Sequence, residues 1–424
     1  MATKRVVYVT YDGLADPLGA SQVLPYVKGL ASLGYAFDLV SFEKPGVELR
    51  FREPLAPGVA WTALRYHKTP TVPATTLDIA QAATFVALRD LLSDADLLHA
   101  RSLLCAVMLL PHAVRRRIPL LFDTRSFWPD EKVDQGHWPR GGPLFQTAKR
   151  LERSVLARAS AVTTLTHDAR NYLRQEYPYR AEITAPIQVI PTCADLDLFR
   201  PLDRDNTPRD PALAGALVLA YVGSLGHWYL EDEMAAFYAA FRRAAGGPTR
   251  LLLVSRQSPE SLRTKLRAHG CEDELVVRSA QREEVPGWVS QADASICFIR
   301  PQFSKRASAP TKLGEVLGCG VPVAVNVIGD LARVVEGSPA AVVVDDVASP
   351  DSLRAAAVAL VNAARDPSVR KEARRLAERW YRLEDAVVAY DRVYRGLLQI
   401  PGGSTSDDPW PIEPVGATRS AAAT

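Results

Sequence analysis

The sequence has few cysteines and no pattern that would use them as a framework. Its 424 residues contain five: Cys105, Cys193, Cys271, Cys297 and Cys319. They are odd in number, widely spaced and set mostly in apolar runs, which argues against a disulfide scaffold or a zinc site. Reduced thiols inside a hydrophobic core fit the spacing better. We therefore expect a cytoplasmic protein.

An excess of charge and long apolar runs are also lacking. The chain has 51 basic and 48 acidic residues, a net charge of +3, so we expect no nucleic-acid partner. No uninterrupted apolar segment reaches the roughly 18 residues that span a bilayer. The N-terminus, MATKRVVYVTYDG, leads directly into a strand pattern without the apolar core of a signal peptide. The composition, 47% hydrophobic and 23% charged, is typical of two or three globular domains.

Short apolar runs alternate with helical periods along most of the chain. The first half contains RVVYVT, AFDLVSF, DLLHAR and PLLFDTR, and the second contains ALVLAYVG, RLLLVS, ASICFI and VPVAVN. Alternation of this kind predicts an α/β fold with parallel sheets. Residues 202–215 between the halves are polar and proline-rich, which is typical of a linker.

The stretch RASAPTKLGEVLGCGVPV, residues 306–323, has the strongest functional signal. Helix-start residues precede a short helix, and glycines with a proline end it before an apolar strand. The free amides at a helix N-terminus stabilise an anion, and Lys312 in the first turn adds a full charge. Glu315 lies one turn deeper on the same face, where a carboxylate could accept hydrogen bonds from a ribose diol. The alternative is an ordinary solvated helix.

The run EVLGCGVPV resembles the second half of the E-x7-E motif of retaining glycosyltransferases of the GT-B fold, in the group 1 or GT4-like class. Glu315 matches the second glutamate. The first would fall at Ala307, so the sequence resembles a subgroup with an SPTK-type motif in its place.

The resemblance covers nearly the whole chain and implies two Rossmann-like, doubly wound domains facing a central cleft. It implies an N-terminal acceptor domain, a C-terminal nucleotide-sugar domain, and a C-terminal helix that crosses back to the first domain. The predicted boundaries are 1–201 for the first domain, 202–215 for the linker, 216–380 for the second domain and 381–400 for the helix. A disordered tail is predicted at 401–424.

The resemblance also assigns the donor side. In the family a G-R-x4-K-G loop holds the donor diphosphate; here Gly223 matches, but Ser224 and Tyr229 replace the basic residues. Helix amides, Lys312 and basic residues near 305 would then meet the phosphate charge. The donor-binding residues we predict are Gly19, Gly223, Ser224, Arg306, Ser308, Thr311, Lys312 and Glu315.

Polar residues end two strands of the first domain, where ligands of parallel sheets bind. Asp123 stands where family members often carry a histidine that contacts the donor sugar, and His99 ends the preceding strand. Both could instead be structural, Asp123 as a cap and His99 as a core-edge histidine. We predict Asp123, Lys312 and Glu315 as the catalytic residues.

The loop at 123–142, DTRSFWPDEKVDQGHWPRGG, is too long for a simple connection and combines aromatic rings with carboxylates, which suits sugar recognition. The pattern D-x-R-x-F-W-x-D-E recurs in a GT4-like subgroup. In the alternative interpretation its tryptophans only pin the loop to the core. The acceptor-binding residues we predict are Arg125, Trp128, Asp130, Glu131, His137 and Trp138.

The resemblance implies a retaining, metal-independent transfer from a nucleotide-diphosphate sugar to a sugar or lipid-linked acceptor, as in polysaccharide biosynthesis, without a further cofactor. The D-x-D at Asp195 and Asp197 lies in a hinge motif, so we predict no metal site. Enzymes of this family often meet acceptors on anionic or lipid-linked diphosphates, for which the basic residues at 115–117 and 149–158 could provide peripheral membrane contact at the inner face. Ordinary solvated helix faces are the commoner explanation of such residues. Two alternatives stay open: a nucleotide-sugar epimerase of the same fold, and a non-catalytic binding subunit favoured by Ala307, Ser224 and Tyr229.

Overall fold

The computed structural model describes residues 3–48, 53–67, 71–88, 91–202 and 209–403. The chain forms two compact units. Within the described residues, unit 1 comprises residues 3–192, 303–309 and 383–403, and unit 2 comprises residues 193–302 and 310–382. Residues 203–208 of the predicted linker, and the predicted tail from 404 onward, lie outside the described residues.

Unit 1 is built on an eight-stranded sheet in the order β3-β4-β2-β1-β5-β6-β7-β8. All neighbouring strands are parallel except β3, which runs antiparallel to β4. The strands are β1 Lys4–Thr10, β2 Tyr35–Glu43, β3 Glu53–Ala56, β4 Val59–Arg65, β5 Leu97–Arg101, β6 Leu120–Asp123, β7 Ala161–Thr164 and β8 Ile187–Val189.

Unit 2 has a six-stranded, all-parallel sheet in the order β11-β10-β9-β12-β13-β14. Its strands are β9 Leu217–Val222, β10 Thr249–Val254, β11 Leu275–Arg278, β12 Ala294–Cys297, β13 Val323–Asn326 and β14 Ala341–Val344. The predicted α/β fold with two parallel, Rossmann-like sheets is therefore confirmed.

Helices connect the strands in both units. They are α1 Pro17–Gln22, α2 Leu24–Ser32, α3 Thr71–Leu88, α4 Leu103–Arg116, α5 Trp128–Asp134, α6 Pro143–Leu156, α7 His167–Asn171, α8 Glu231–Ala245, α9 Glu260–Arg267, α10 Val285–Ser290, α11 Thr311–Gly318, α12 Leu331–Val335, α13 Pro350–Arg365, α14 Pro367–Trp380 and α15 Leu383–Leu397. Each sheet packs its apolar strand residues against these helices, which gives each unit its own hydrophobic core.

The last helix, α15, belongs to unit 1. Its Asp391 accepts a 2.7 Å hydrogen bond from the hydroxyl of Tyr35, and its Val387 packs against Gly29 of α2, where a Cβ atom would lie 2.6 Å away. The buried Tyr394 stacks edge-on against Tyr35. This helix therefore packs on α2 and on the start of β2.

Candidate functional site

Helix α11 presents an N-terminus whose first amides receive no side-chain cap. Its N-cap residue is Pro310, and Ser308 lies ahead of the cap. The helix ends at Gly318, whose Cα lies so close to the carbonyl of Phe199 that a Cβ atom would be 2.7 Å away. Gly320 follows with a positive φ of 73° and turns the chain into β13. The side chain of Pro310 supplies no cap, and the positive end of the helix dipole at this first turn favours an anion.

The Lys312 side chain is held between two tyrosines. Its Nζ donates a 3.0 Å hydrogen bond to the hydroxyl of Tyr221 and lies 3.8 Å from the ring centroid of Tyr229. Burial lowers the pKa of Lys312, but Tyr229 and Tyr221 raise it above its ordinary value, so the side chain is cationic. Among the described residues no carboxylate lies within ion-pair distance of this nitrogen. An unbalanced, half-buried cation favours an anionic ligand.

The loop after β9 fits around this lysine. Gly223 has φ 115°, a conformation that favours glycine, and a Cβ atom on it would lie 3.0 Å from Lys312 Nζ and crowd the ammonium. Ser224 offers its carbonyl oxygen, which accepts a 2.5 Å hydrogen bond from Tyr221. Tyr229, at the position of the family's loop lysine, supplies the ring over Lys312. The loop thus contributes no positive charge, and α11 contributes it instead.

Glu315 lies one turn beyond Lys312 and has a partner that the sequence did not suggest. Its Oε1 accepts a 2.9 Å hydrogen bond from Arg282, in the loop that follows β11. Burial raises the pKa of the Glu315 carboxyl, Arg282 lowers it, and the pKa stays above its ordinary value. Arg282 follows β11 and Glu315 lies in the helix that precedes β13, and residues 33 positions apart give no local pattern.

The first glycine loop, which follows β1, ends where α1 begins at Pro17, so Gly19, a predicted donor-binding residue, lies inside the helix. The carbonyl of Gly13 is so near that a Cβ on Gly19 would lie 2.0 Å from it, so this glycine serves packing. The loop amides of Leu14 and Ala15 donate to the buried carboxylate of Glu43, at 2.6 and 3.3 Å. The carboxylate of Glu43, and not a ligand, therefore accepts the hydrogen bonds of these two loop amides.

The ends of β5 and β6 bring His99 and Asp123 together, as the strand pattern predicted. Their Nε2 and Oδ2 atoms are 3.6 Å apart, and both residues are 1% exposed. Burial raises the pKa of Asp123, but Arg125, His99 and Arg101 hold it well below its ordinary value. Burial lowers the pKa of His99, whose Nδ1 lies 2.6 Å from the hydroxyl of Tyr394. The aspartate is ionised and the histidine neutral.

Arg101 joins this edge without having been predicted. Its guanidinium pairs with Asp12, and its Nη2 donates to Gln22 Oε1 at 2.8 Å. Arg125 donates to the same oxygen at 3.3 Å and to Asp123 at 3.4 Å. Two guanidiniums and two carboxylates thus meet at one sheet edge, where Asp12 is the most exposed of the four side chains. The signal was available, since Arg101 ends the run DLLHAR.

The predicted acceptor loop contains the short helix α5, and its residues divide into two groups. Asp130 is 3% exposed, and its Oδ2 accepts a 3.1 Å hydrogen bond from Lys149 Nζ, which joins α5 to α6. Trp128 is half-buried against the core and meets Trp138 edge-on at 5.2 Å. His137 is exposed. The structure makes Asp130 a packing residue, whereas His137 and half-buried Trp138 remain accessible.

Two ion-pair contacts of the segment Phe303–Ala309 involve predicted ligand-binding residues, Glu131 and Arg306. Lys305 Nζ donates to Glu131 Oε1 at 2.9 Å, and Arg306 donates to Asp168 at 2.7 Å and to Glu176 at 2.9 Å. Both predicted ligand contacts are therefore already engaged by charges of unit 1. Neither side chain offers an unpaired charge to a ligand in this structure.

No group of three or more histidine, cysteine or acidic side chains in the described ranges is arranged to hold a metal ion. Asp195 Oδ1 of the D-x-D sequence accepts the backbone amides of Asp197 and Leu198, at 3.1 and 3.0 Å, and so caps a turn. Across the same ranges, no helix combines the length and apolarity that crossing a bilayer requires.

Two family models match the sequence. Residues 19–191 match the glycosyl transferase 4-like domain, and residues 216–363 match the glycosyl transferases group 1. No curated protein matches the chain.

Solved structures resemble the fold at low sequence identity. Sucrose-phosphate synthase from Thermosynechococcus elongatus is 15% identical over 93% of this chain and 99% of its own, with a TM-score of 0.66. WaaG, a glycosyltransferase involved in lipopolysaccharide biosynthesis, is 14% identical over 91% and 99% of the two chains, with a TM-score of 0.66. Anabaena HepE in complex with UDP and glucose is 14% identical over 92% and 99%, with a TM-score of 0.63.

Proposed function

We propose that this chain, which belongs to the group 1, GT4-like glycosyltransferases of the GT-B fold, transfers a sugar with retention of configuration from a nucleotide-diphosphate sugar to a sugar or lipid-linked acceptor. The observation that carries the proposal is Lys312. Its buried ammonium lies at an uncapped helix start and has no carboxylate partner among the described residues. A diphosphate supplies the missing negative charge.

The chemical step breaks the bond between the sugar C1 and the diphosphate oxygen, the acceptor hydroxyl oxygen bonds to C1, and the hydroxyl proton passes to the leaving diphosphate. The leaving diphosphate gains negative charge as that bond breaks. Lys312 and the first amides of α11 are fixed before the reaction, so they stabilise this charge without reorganisation. Lys312 therefore lowers the barrier by binding the transition state more tightly than the donor.

The remaining predicted residues take positioning and binding roles. We assign Glu315 to the nucleotide ribose and the Gly223–Ser224 turn to close approach of the diphosphate. Asp123, held by protein partners on every side, keeps His99 and Arg125 in place at the strand ends. The acceptor is assigned to Arg125, Trp138 and His137.

The metal-independent mechanism stays part of the proposal. Lys312 and the helix dipole provide the charge that a divalent cation provides in other glycosyltransferases, and the D-x-D carboxylate at Asp195 is committed to backbone amides. The donor nucleotide sugar is the one small molecule that the reaction needs. A cytoplasmic location follows from this donor and from the five reduced cysteines, all buried.

Peripheral membrane contact is a further part of the proposal. Helices α4 and α6 pack together, and Val114, Leu144 and Leu151 on them are exposed. Arg115, Arg116 and Arg117 are exposed beside them. Exposed apolar and basic side chains on neighbouring helices suit an anionic lipid surface. Co-sedimentation with vesicles containing 30% anionic lipid, compared with neutral vesicles, tests it.

The experiment that tests the function is a screen of nucleotide sugars by thermal shift, followed by transfer assays with the donor that stabilises the protein. A ligand at 100 times its Kd stabilises the native state by about 2.7 kcal/mol, which is easily detected. We expect the donor to be consumed only when acceptor is present. Conversion of the donor to its epimer without acceptor would instead support the epimerase alternative, and stabilisation by no nucleotide sugar would contradict the proposal.

A further inference from the structure

Arg282 forms an ion pair with Glu315, the residue assigned to the nucleotide ribose. It follows β11, and its guanidinium lies 2.9 Å from Glu315 Oε1 and 5.2 Å from the ring centroid of Phe199. Its side chain is 20% exposed and that of Glu315 is 13% exposed. The ion pair is thus largely shielded from water.

Fold stability does not explain such a pair. Removing two charges from water costs about as much as their attraction returns, and apolar replacements of buried pairs are often neutral or stabilising. The guanidinium lies over Phe199, which belongs to an apolar cluster that also contains Val316, the neighbour of Glu315 in the chain. Two leucine-sized apolar residues would be compatible with these neighbours. Stability alone therefore does not explain why an ion pair is found here.

Glu315 has one carboxylate oxygen left over. Arg282 occupies Oε1, and among the described residues Oε2 has no hydrogen-bond partner. Burial alone would favour the protonated carboxyl, which the raised pKa of Glu315 reflects. The ionised form leaves Oε2 as a charged acceptor for a ribose hydroxyl, whereas a proton on that oxygen would make it a donor. Arg282 is the side chain that favours this form.

The loop that carries Arg282 is itself held in place. The amide of Gln281 donates to Glu284 Oε2 at 2.7 Å, and Arg278 donates to Asp210 at 2.7 Å while lying over Trp288. Arg282 therefore projects from a fixed turn, so that its position and that of Glu315 are set before any ligand arrives.

We infer that Arg282 is a positioning residue that keeps Glu315 ionised and aimed at the nucleotide ribose, and so determines the preference for ribonucleotides over 2′- and 3′-deoxyribonucleotides. This inference rests on the proposed function, since it needs a nucleotide on α11. The substrate class it names is a nucleoside diphosphate with an intact ribose diol.

The test is the ratio of the Kd values of deoxy and ribo nucleoside diphosphates, measured by calorimetry with UDP, GDP and ADP and their 2′- and 3′-deoxy forms. For the nucleotide that binds, we expect the wild type to prefer the ribose form by about tenfold or more, as for a charge-assisted hydrogen bond. Arg282→Leu should weaken ribonucleotide binding about tenfold and bring the ratio close to one. Arg282→Lys should fall between them.

Two further variants keep the test interpretable. Glu315→Gln should reproduce the lost preference, and adding Arg282→Leu to it should cause little further loss, because both act through one carboxylate. Arg243→Leu, on an exposed face of α8 in the same unit, is the matched control and should leave the ratio unchanged. Circular dichroism and Tm verify the fold of each variant.

The outcomes separate the two claims. If no nucleoside diphosphate binds the wild type, the proposed function fails and the inference with it. If the nucleotide binds and folded Arg282 variants keep the full ribose preference, only the inference is overturned. Equal losses for ribo and deoxy forms would also overturn it, since they would indicate a general structural effect. If Arg282→Leu does not fold, Arg282→Lys and Glu315→Gln decide the question.

Discussion

At the scale of single residues, the chemistry of the second unit depends on how Lys312 is kept charged without a carboxylate. The faces of Tyr221 and Tyr229 attract its ammonium, and Tyr221 accepts one of its three N–H donors. The other two donors are free to bind phosphate oxygens. A carboxylate in the same place would have neutralised the charge that the leaving diphosphate needs.

Replacement of Lys312 by alanine should slow turnover more than it weakens donor binding. The reason is that leaving-group charge grows in the transition state, so the lost interaction counts more there. We expect kcat to fall about 100-fold or more, as for other lost electrostatic contacts to a developing charge. Donor Kd from calorimetry beside steady-state kinetics gives both numbers.

The matched control is Lys265→Ala, which removes a lysine of α9 that forms an ion pair with Asp232 of α8. It should change neither quantity. A rise in KM with unchanged kcat for Lys312→Ala would mean that the lysine binds donor and transition state equally, and would refute its catalytic role.

We expect the affinity for the donor to depend on pH through the protonation of Glu315. Its carboxyl has a raised pKa, so it takes up a proton at a higher pH than an ordinary glutamate as the pH falls. The protonated form loses a charged acceptor, and donor Kd should then rise. Arg282 and Lys312 are the charged groups that face it, and both stay cationic in this range.

Glu315→Gln should weaken donor binding by about 1–3 kcal/mol near neutral pH and abolish the rise at lower pH. The measurement is calorimetry with the intact nucleotide sugar, which has no terminal phosphate to titrate. A pH profile that is the same in wild type and variant would remove Glu315 from the donor site.

At the scale of elements, α5 and its loop illustrate how far local sequence determines a role. Asp130 and the exposed residues of the loop look equally suited to bind a sugar in the sequence. In the structure Asp130 is buried against Lys149, while His137 and Trp138 reach the surface. The two kinds of residue should respond differently to substitution.

We therefore expect Asp130→Asn to lower the free energy of unfolding by about 1–3 kcal/mol, because Lys149 loses a buried charged partner. Trp138→Ala should leave donor Kd unchanged and lower kcat/KM for the acceptor about tenfold, as for a lost aromatic platform. Denaturant unfolding and acceptor kinetics measure the two effects. A folded Trp138→Ala variant that loses donor affinity instead would place this loop on the donor side.

The sequence predicts α11 well because its signals are local. The helix start, Lys312 and Glu315 at a spacing of three, and the glycines before β13 all lie within eighteen residues. The partners of these residues were not predictable in the same way. Tyr221 lies inside a strand, Arg282 in a distant loop, and Glu43 in another strand whose side chain fills the first glycine loop.

Such contacts depend on which strands become neighbours and on which side chains reach across. A departure such as Tyr229 in place of a basic residue is visible in the sequence as a loss of charge. Only the structure shows that Lys312 provides a positive charge at this place, because the Tyr229 ring contacts a lysine 83 positions later in the chain. Gly19 shows the reverse case: a glycine in a promising loop pattern that proves to be needed for close helix packing.

At the scale of the whole molecule, each unit has its own parallel sheet and its own candidate binding residues. The charge for the diphosphate comes from α11 in unit 2, and the polar strand ends of unit 1 present arginines and carboxylates in equal number. A transferase needs both kinds of surface, one for a charged leaving group and one for a neutral sugar.

Because Lys312 and the dipole of α11 supply the positive charge, transfer should continue in a chelator. We expect kcat in 5 mM EDTA to stay within about twofold of its value in added Mg²⁺ or Mn²⁺. The assay follows release of the nucleoside diphosphate in matched buffers. Strict dependence on a divalent cation would contradict the role given to Lys312.

The most direct measurement is the anomeric configuration of the product, followed by proton NMR during transfer from the nucleotide sugar that the thermal screen selects. A retaining reaction predicts that the new glycosidic bond has the configuration of the donor bond from its first appearance, and that the Lys312→Ala enzyme forms the same product more slowly. A product of inverted configuration, or no transfer from any nucleotide sugar that binds, would contradict the proposal.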